Sequence, residues 1–66
     1  MHIIVNGDRC EFESPLVVME LLQNLGLEPK KLAVERNRSI VPKSAYGNTV
    51  LSDGDKIEIV QFVGGG

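Results

Sequence analysis

A small two-layer α+β domain, one helix packed against one sheet, is the fold class that this chain predicts. Three observations point to it: β-branched or alternating stretches near both ends, one amphipathic segment of helical period between them, and a length of 66 residues. A single helical stripe and a single sheet face each need an apolar partner, and each supplies the other's. A chain this short forms one domain and buries only about 60% of the surface its unfolded form exposes. Little room is left for an enclosed pocket with a catalytic constellation, so a binding, carrier or adaptor role is favoured.

His2-Ile3-Ile4-Val5 is a β-branched run that favours a strand. Asn6-Gly7 comes next, and that dipeptide tolerates the positive φ angles of a type I′ hairpin turn. Arg9 to Glu13 alternates, with Cys10 and Phe12 on one face and Arg9, Glu11 and Glu13 on the other. Cys10 therefore reads as a small core residue and not as a nucleophile. Ser14 as N-cap and Pro15 at the first helical position predict that a helix opens there. Val18, Leu21, Leu22 and Leu25 recur at i, i+3, i+4 and i+7 as its buried stripe. Gly26 suits the left-handed position just past the helix end, with Leu27 packing back on Leu22, and Pro29 blocks resumption.

Leu32 to Glu35 predicts a third strand, turning through Asn37-Arg38-Ser39 into a short fourth, Ile40-Val41. Pro42 confines that piece to an edge. Lys43 to Thr49 reads as irregular, with Tyr46 covering one end of the core. Ser52-Asp53-Gly54-Asp55 predicts a tight turn before a long last strand, Ile57 to Val63. Asp53-Gly54-Asp55 is not a calcium loop: the closing glutamate belongs at the twelfth position, which here is Gly64. The expected division is a domain over residues 1–63 and a flexible tail over 64–66.

Seven basic against nine acidic residues give a net charge of −2, which argues against a nucleic-acid partner. Lys30-Lys31 and Arg36/Arg38 are the only basic clusters and read as solvated turn residues. A lone cysteine permits no intrachain disulfide, and no apolar run approaches membrane-spanning length. With no signal-peptide pattern at the start, the expectation is a cytoplasmic protein with no membrane partner and no metal site.

Gly64-Gly65-Gly66 closes the sequence directly after Phe62-Val63. Glycines have no side chain to bury and are costly to order, so they should project from the last strand. A frayed terminus is one reading. The other is a device: a strip without Cβ atoms threads a narrow channel in a partner and brings the carboxylate of Gly66 to a buried active site. That carboxylate is unreactive until a separate ATP-using enzyme converts it to an acyl-adenylate, which a persulfide or thiol then attacks. If Ile57 and Ile59 face the helix, Val60 and Phe62 point the other way and offer a partner contact beside the tail; alternatively Phe62 folds over the sheet rim.

The chain resembles the ThiS family, the sulfur carriers of thiamine biosynthesis, over essentially its whole length. The residues responsible are Ile3 to Gly7, Val34 to Asn37 with Ile40-Val41-Pro42, Asp53 to Val60, and Phe62 to Gly66. The resemblance implies a β-grasp, ubiquitin-like fold: a mixed sheet of four to five strands on one helix, first and last strands side by side at its centre. It also implies that the chain is a protein substrate, not an enzyme. An adenylating enzyme of the ubiquitin-activating type would act on Gly66 with ATP and magnesium. Sulfur from a cysteine desulfurase would make the thiocarboxylate, and a thiazole synthase would take that sulfur. Gly65 and Gly66 carry the function in this match, and Gly64 extends the strip. The rivals are the small subunit of molybdopterin synthase, a ubiquitin-like modifier of lysines, and a β-grasp interaction module with an accidental glycine tail.

Overall fold

A computed structural model describes residues 1–13 and 15–61 of the chain. Five strands form one sheet: β1 (His2–Val5), β2 (Asp8–Glu11), β3 (Leu32–Arg36), β4 (Ser39–Val41) and β5 (Lys56–Gln61). A single helix, α1 (Val18–Asn24), lies between β2 and β3 in sequence. The spatial order is β2-β1-β5-β3-β4, so first and last strands are neighbours at the centre. Their pairing is parallel, Ile4 opposite Lys56 and Val5 opposite Ile57; the other three pairings are antiparallel. This is the β-grasp arrangement.

Both hairpins turn on two residues of positive φ. Asn6 and Gly7 stand at 49° and 87°, joining Val5 to its partner Asp8. Asn37 and Arg38 stand at 50° and 72°, joining Arg36 to Ser39. The second turn is thus one residue tighter than expected, and Ser39 already belongs to β4. Arg36 differs from its expected place too: it ends β3 and bonds inward, while Arg38 is the exposed turn residue.

The core forms between α1 and one sheet face. Ile3, Val18, Leu21, Leu22, Leu32, Val34, Leu51 and Ile57 are all buried, and Cys10 and Phe12 pack at its margin. Leu25, expected in the helical stripe, is 40% exposed because the helix ends there. Gly26 ends it as expected, at φ 71°. Its N–H bonds Gln23 O at 3.1 Å and the Leu27 N–H bonds Leu22 O at 3.0 Å, the paired bonds of a Schellman cap.

The helix start is a correction. Its N-cap is Val17, so Pro15 lies before the helix and not in its first turn. Tertiary structure decides the boundary: the Val18 and Met19 N–H groups donate to the carbonyls of Thr49 and Tyr46 at 3.0 and 2.8 Å. Those carbonyls satisfy two of the helix's unpaired first-turn donors, and the Met19 N–H is one that a serine cap could otherwise take. Glu20 Oε1 accepts the Val17 N–H at 2.8 Å. Ser14 lies outside the described residues. The α-helix does not resume at Pro29, which opens a separate 3₁₀ turn, Pro29–Lys31, and the 43–49 segment departs from expectation by forming one at Lys43–Ala45. Tyr46 does close the core, 1% exposed, with its hydroxyl donating to Leu32 O at 3.3 Å.

The start of β5 is fixed by Asp55, the buried charged residue of the core region. Its Oδ2 accepts the Arg36 Nε–H and the Ser52 N–H, both at 2.8 Å, and its Oδ1 accepts the Asn37 amide at 3.0 Å. Burial opposes ionisation. The Ser52 N–H, the Asn37 amide and the Arg36 guanidinium outweigh it and hold the Asp55 carboxyl below its usual range. A carboxyl lowered in the folded state stabilises the fold at pH above its unfolded value and loses that contribution as pH falls through the folded value.

Chemical denaturation should show the weight of both features. Leu22→Ala removes a fully buried side chain and should cost about 2–5 kcal/mol. Asp55→Asn should lower stability at pH 7 and flatten its fall below about pH 4, the ordinary carboxylate range. A mutant curve parallel to wild type across the acid limb would show that Asp55 is not the group titrating.

Candidate functional site

The candidate site is the C-terminal end of β5 together with the glycine-bearing segment beyond it. Gln61 is the last described residue of the strand, and Phe62 to Gly66 lie outside the described residues. The same holds for the expected division between residues 63 and 64. The described residues that precede Phe62 to Gly66 in sequence are those of β5.

The β5 alternation is as expected. Ile57 is buried and Ile59 packs on the core, while Val60 is 59% exposed on the opposite face. Val60 stands opposite Ala33 in register, and on the same outer face Glu58 stands opposite Glu35 with Ile40 beyond it on β4. Ile40 is 78% exposed, an apolar side chain the strand pattern did not single out. Like charges directly opposite one another weaken a strand pair, so Glu35 and Glu58 do not serve the sheet. This outer face is apolar at Val60 and Ala33, carries Glu58 and Glu35 further along, and has Lys56 beyond them.

On the helix side, a shallow groove of about 300 Å³ opens between the end of α1 and the end of β5. Leu25, Leu27, Ile59, Gln61 and Asn6 help to line it. Asn6 does more than turn the chain. Its side-chain Oδ1 accepts the Ile59 N–H at 2.7 Å and its Nδ2 donates to Ile59 O at 3.1 Å. The only sequence signal for this is the amide itself: an Asn-Gly turn needs positive φ, which glycine would supply without any side chain.

Among the described residues, no group of three or more His, Cys, Asp or Glu side chains is placed to hold a metal ion. Cys10 is half-buried, with Sγ 3.8 Å from Asp8 O. No helix of the described chain is long and apolar enough to cross a membrane. The arrangement places β5, the last described element, between β1 and β3, with Val60, Glu58 and Glu35 on its outer face.

Known proteins share both the sequence and the fold. The ThiS family profile matches residues 3–66. A thiazole synthase from Paramagnetospirillum magneticum is 48% identical over the full chain, which spans 20% of that protein. Sulfur carrier protein ThiS from Bacillus subtilis is 49% identical over 49 residues, covering 74% of each chain. The chain spans about a fifth of the first curated relatives it matches. The crystal structure of the thiamine biosynthesis protein ThiS from Geobacter metallireducens superposes with a TM-score of 0.86 at 33% identity, each chain covered completely. A family match running from β1 through Gly66, on a sheet with the same topology as a solved member, makes this chain a member of the ThiS family.

Proposed function

We propose that the chain carries sulfur for thiazole formation in thiamine biosynthesis, as a thiocarboxylate on Gly66. The observation that carries this reading is the family match through the last glycine, on a fold whose central strand β5 is the last described element before it. In this reading the domain contributes no catalytic group. The Gly66 carboxylate attacks the α-phosphate of ATP in a partner adenylating enzyme of the ubiquitin-activating type. Pyrophosphate leaves, and magnesium offsets the phosphate charge.

The terminal sulfur of a persulfide, charged by a cysteine desulfurase, then attacks the acyl carbon and AMP departs. Attack by a second thiol on the resulting acyl disulfide releases the thiocarboxylate, and the other sulfur becomes part of a new disulfide. Gly64, Gly65 and Gly66 suit a narrow channel because they present no Cβ. Val60, with Phe62 and the adjoining Ala33, is the proposed docking contact, on a surface with Ile40 at its far side.

A thiazole synthase is the proposed acceptor. Two relatives named for that activity contain a segment matching this whole chain, at 48% and 44% identity. The same observation favours a second arrangement, in which carrier-like and synthase segments belong to one polypeptide.

Intact mass of protein purified from its own cells separates the two arrangements and tests the chemistry. A free carrier has the mass of a chain ending at Gly66, with a fraction heavier by the exchange of one oxygen for sulfur. Incubation with adenylating enzyme, ATP, magnesium and a persulfide donor should raise that fraction; no gain under conditions that load a known carrier would sink the proposal. Deleting Gly65 and Gly66 should abolish loading and change unfolding stability by no more than about 0.5 kcal/mol. Val60→Asp should leave stability similarly unmoved while raising KM for the carrier in the loading reaction.

A further inference from the structure

We propose that Asn6 is a positioning residue for the C-terminal segment: its side chain takes the place of a missing β1 residue and fixes where β5 points as it leaves the sheet. The inference rests on the carrier reading above and deepens it. β1 accompanies β5 only through the pair Val5–Ile57, and the chain then turns away at Asn6. The Asn6 backbone N–H still bonds Ile57 O at 2.9 Å, so the ladder reaches one position further. Beyond that, the N–H and C=O of Ile59 face a side of β5 that has no strand. The Asn6 amide supplies both missing partners, one donor and one acceptor, as a peptide group would.

Among the described residues this is the last tie on the β1 side of β5. On the other side β3 ends its pairing at Leu32–Gln61. With Asn6 in place, β5 is gripped on both edges up to Ile59; without it, the strand is gripped on one edge and can swing about β3. An acyl-transfer partner that holds the outer face needs the segment to leave at a fixed angle, since a misplacement of about 1 Å at the reacting atoms can cost on the order of a hundredfold in rate.

Asn37 provides an internal control. It too sits at the first position of a two-residue turn with positive φ, and it bonds β5 equally well. Its backbone N–H donates to Lys56 O at 2.8 Å, and its amide accepts the Lys56 N–H at 2.9 Å and donates to Asp55 at 3.0 Å. Lys56 is at the opposite end of the strand, roughly 16 Å from Gln61 at the usual rise per residue. Loss of either asparagine removes two side-chain hydrogen bonds, but only Asn6 adjoins the departing segment.

Asn6→Gly and Asn37→Gly retain the turn, because glycine accepts positive φ. Both should lower the unfolding midpoint. In the loading reaction, at a temperature where each variant is folded, Asn6→Gly should reduce kcat by about tenfold or more with KM within about twofold. Asn37→Gly should leave kcat within about twofold of wild type. Asn6→Asp keeps the acceptor for the Ile59 N–H and loses the donor, and its kcat should fall between those of wild type and Asn6→Gly.

A second readout needs no activity. With Cys10→Ser and a nitroxide on Gly66→Cys, paramagnetic broadening of backbone amides maps where the segment travels. Asn6→Gly should redistribute that broadening and Asn37→Gly should not. If wild type takes no sulfur yet Asn6→Gly redistributes the broadening, the carrier reading fails and the positioning role stands. Unchanged broadening in Asn6→Gly, or equal loss of kcat in both glycine variants, overturns the positioning role.

Discussion

Everything else in this domain depends on β5 being held between β1 and β3. The strand joins the two hairpins into one sheet and supplies Ile57 to the core. It is also the last described element before the glycines. The parallel contact with β1 links residues more than fifty positions apart, Ile4 with Lys56 and Val5 with Ile57. Long-range pairing of this kind is costly in loop closure and yields nothing until it is complete. Two register pairs are little to set against that cost, and side chains make up the difference.

Those side chains come from the turns. Asn37 and Asp55 lock the start of β5 to the β3–β4 hairpin, with Arg36 neutralising the buried carboxylate. The Asp53 carboxylate accepts the His2 N–H at 2.8 Å, and the Gly54 N–H bonds His2 O at 2.8 Å, so the turn before β5 is stitched to the start of β1. Asn6 closes the ladder toward the other end. A domain with one seven-residue helix has limited apolar area to bury. Satisfied polar ties at element ends position its central strand without enlarging the core.

Local rules make much of this legible in the residues themselves. Asn6-Gly7 specifies its turn type, Gly26 and Leu27 mark the helix end, and alternation in β5 separates Ile57 and Ile59 from Val60. Each of those features is decided within a few residues by backbone sterics or period. The helix start is not legible, because Val18 and Met19 bond carbonyls of Thr49 and Tyr46, some thirty positions away. Arg36 reads as a solvated turn residue because its partner, Asp55, is distant in sequence. Ile40 looks like an ordinary edge-strand residue; only the register shows it standing beside Glu35 on the open face. Of the candidate site, the glycines and Val60 are visible as residue types, while the Asn6 amide is hidden behind its role in the turn.

The division of labour between handle and terminus has the same physical origin. A terminus that must enter another protein's active site cannot also be packed against its own domain without a cost at every transfer. A handle has the opposite requirement, since it has to present the terminus from a fixed support. A strand at the centre of a sheet meets both demands: β5 is flanked by β1 as far as Ile57, by the Asn6 amide at Ile59, and by β3 as far as Gln61. At a sheet edge the same segment would be held on one side only and would expose unpaired N–H and C=O groups to chance pairing. The β1–β5 arrangement therefore suits a carrier through how the described end of β5 is held, by β3 on one edge and the Asn6 amide on the other, more than through any group it brings to the chemistry.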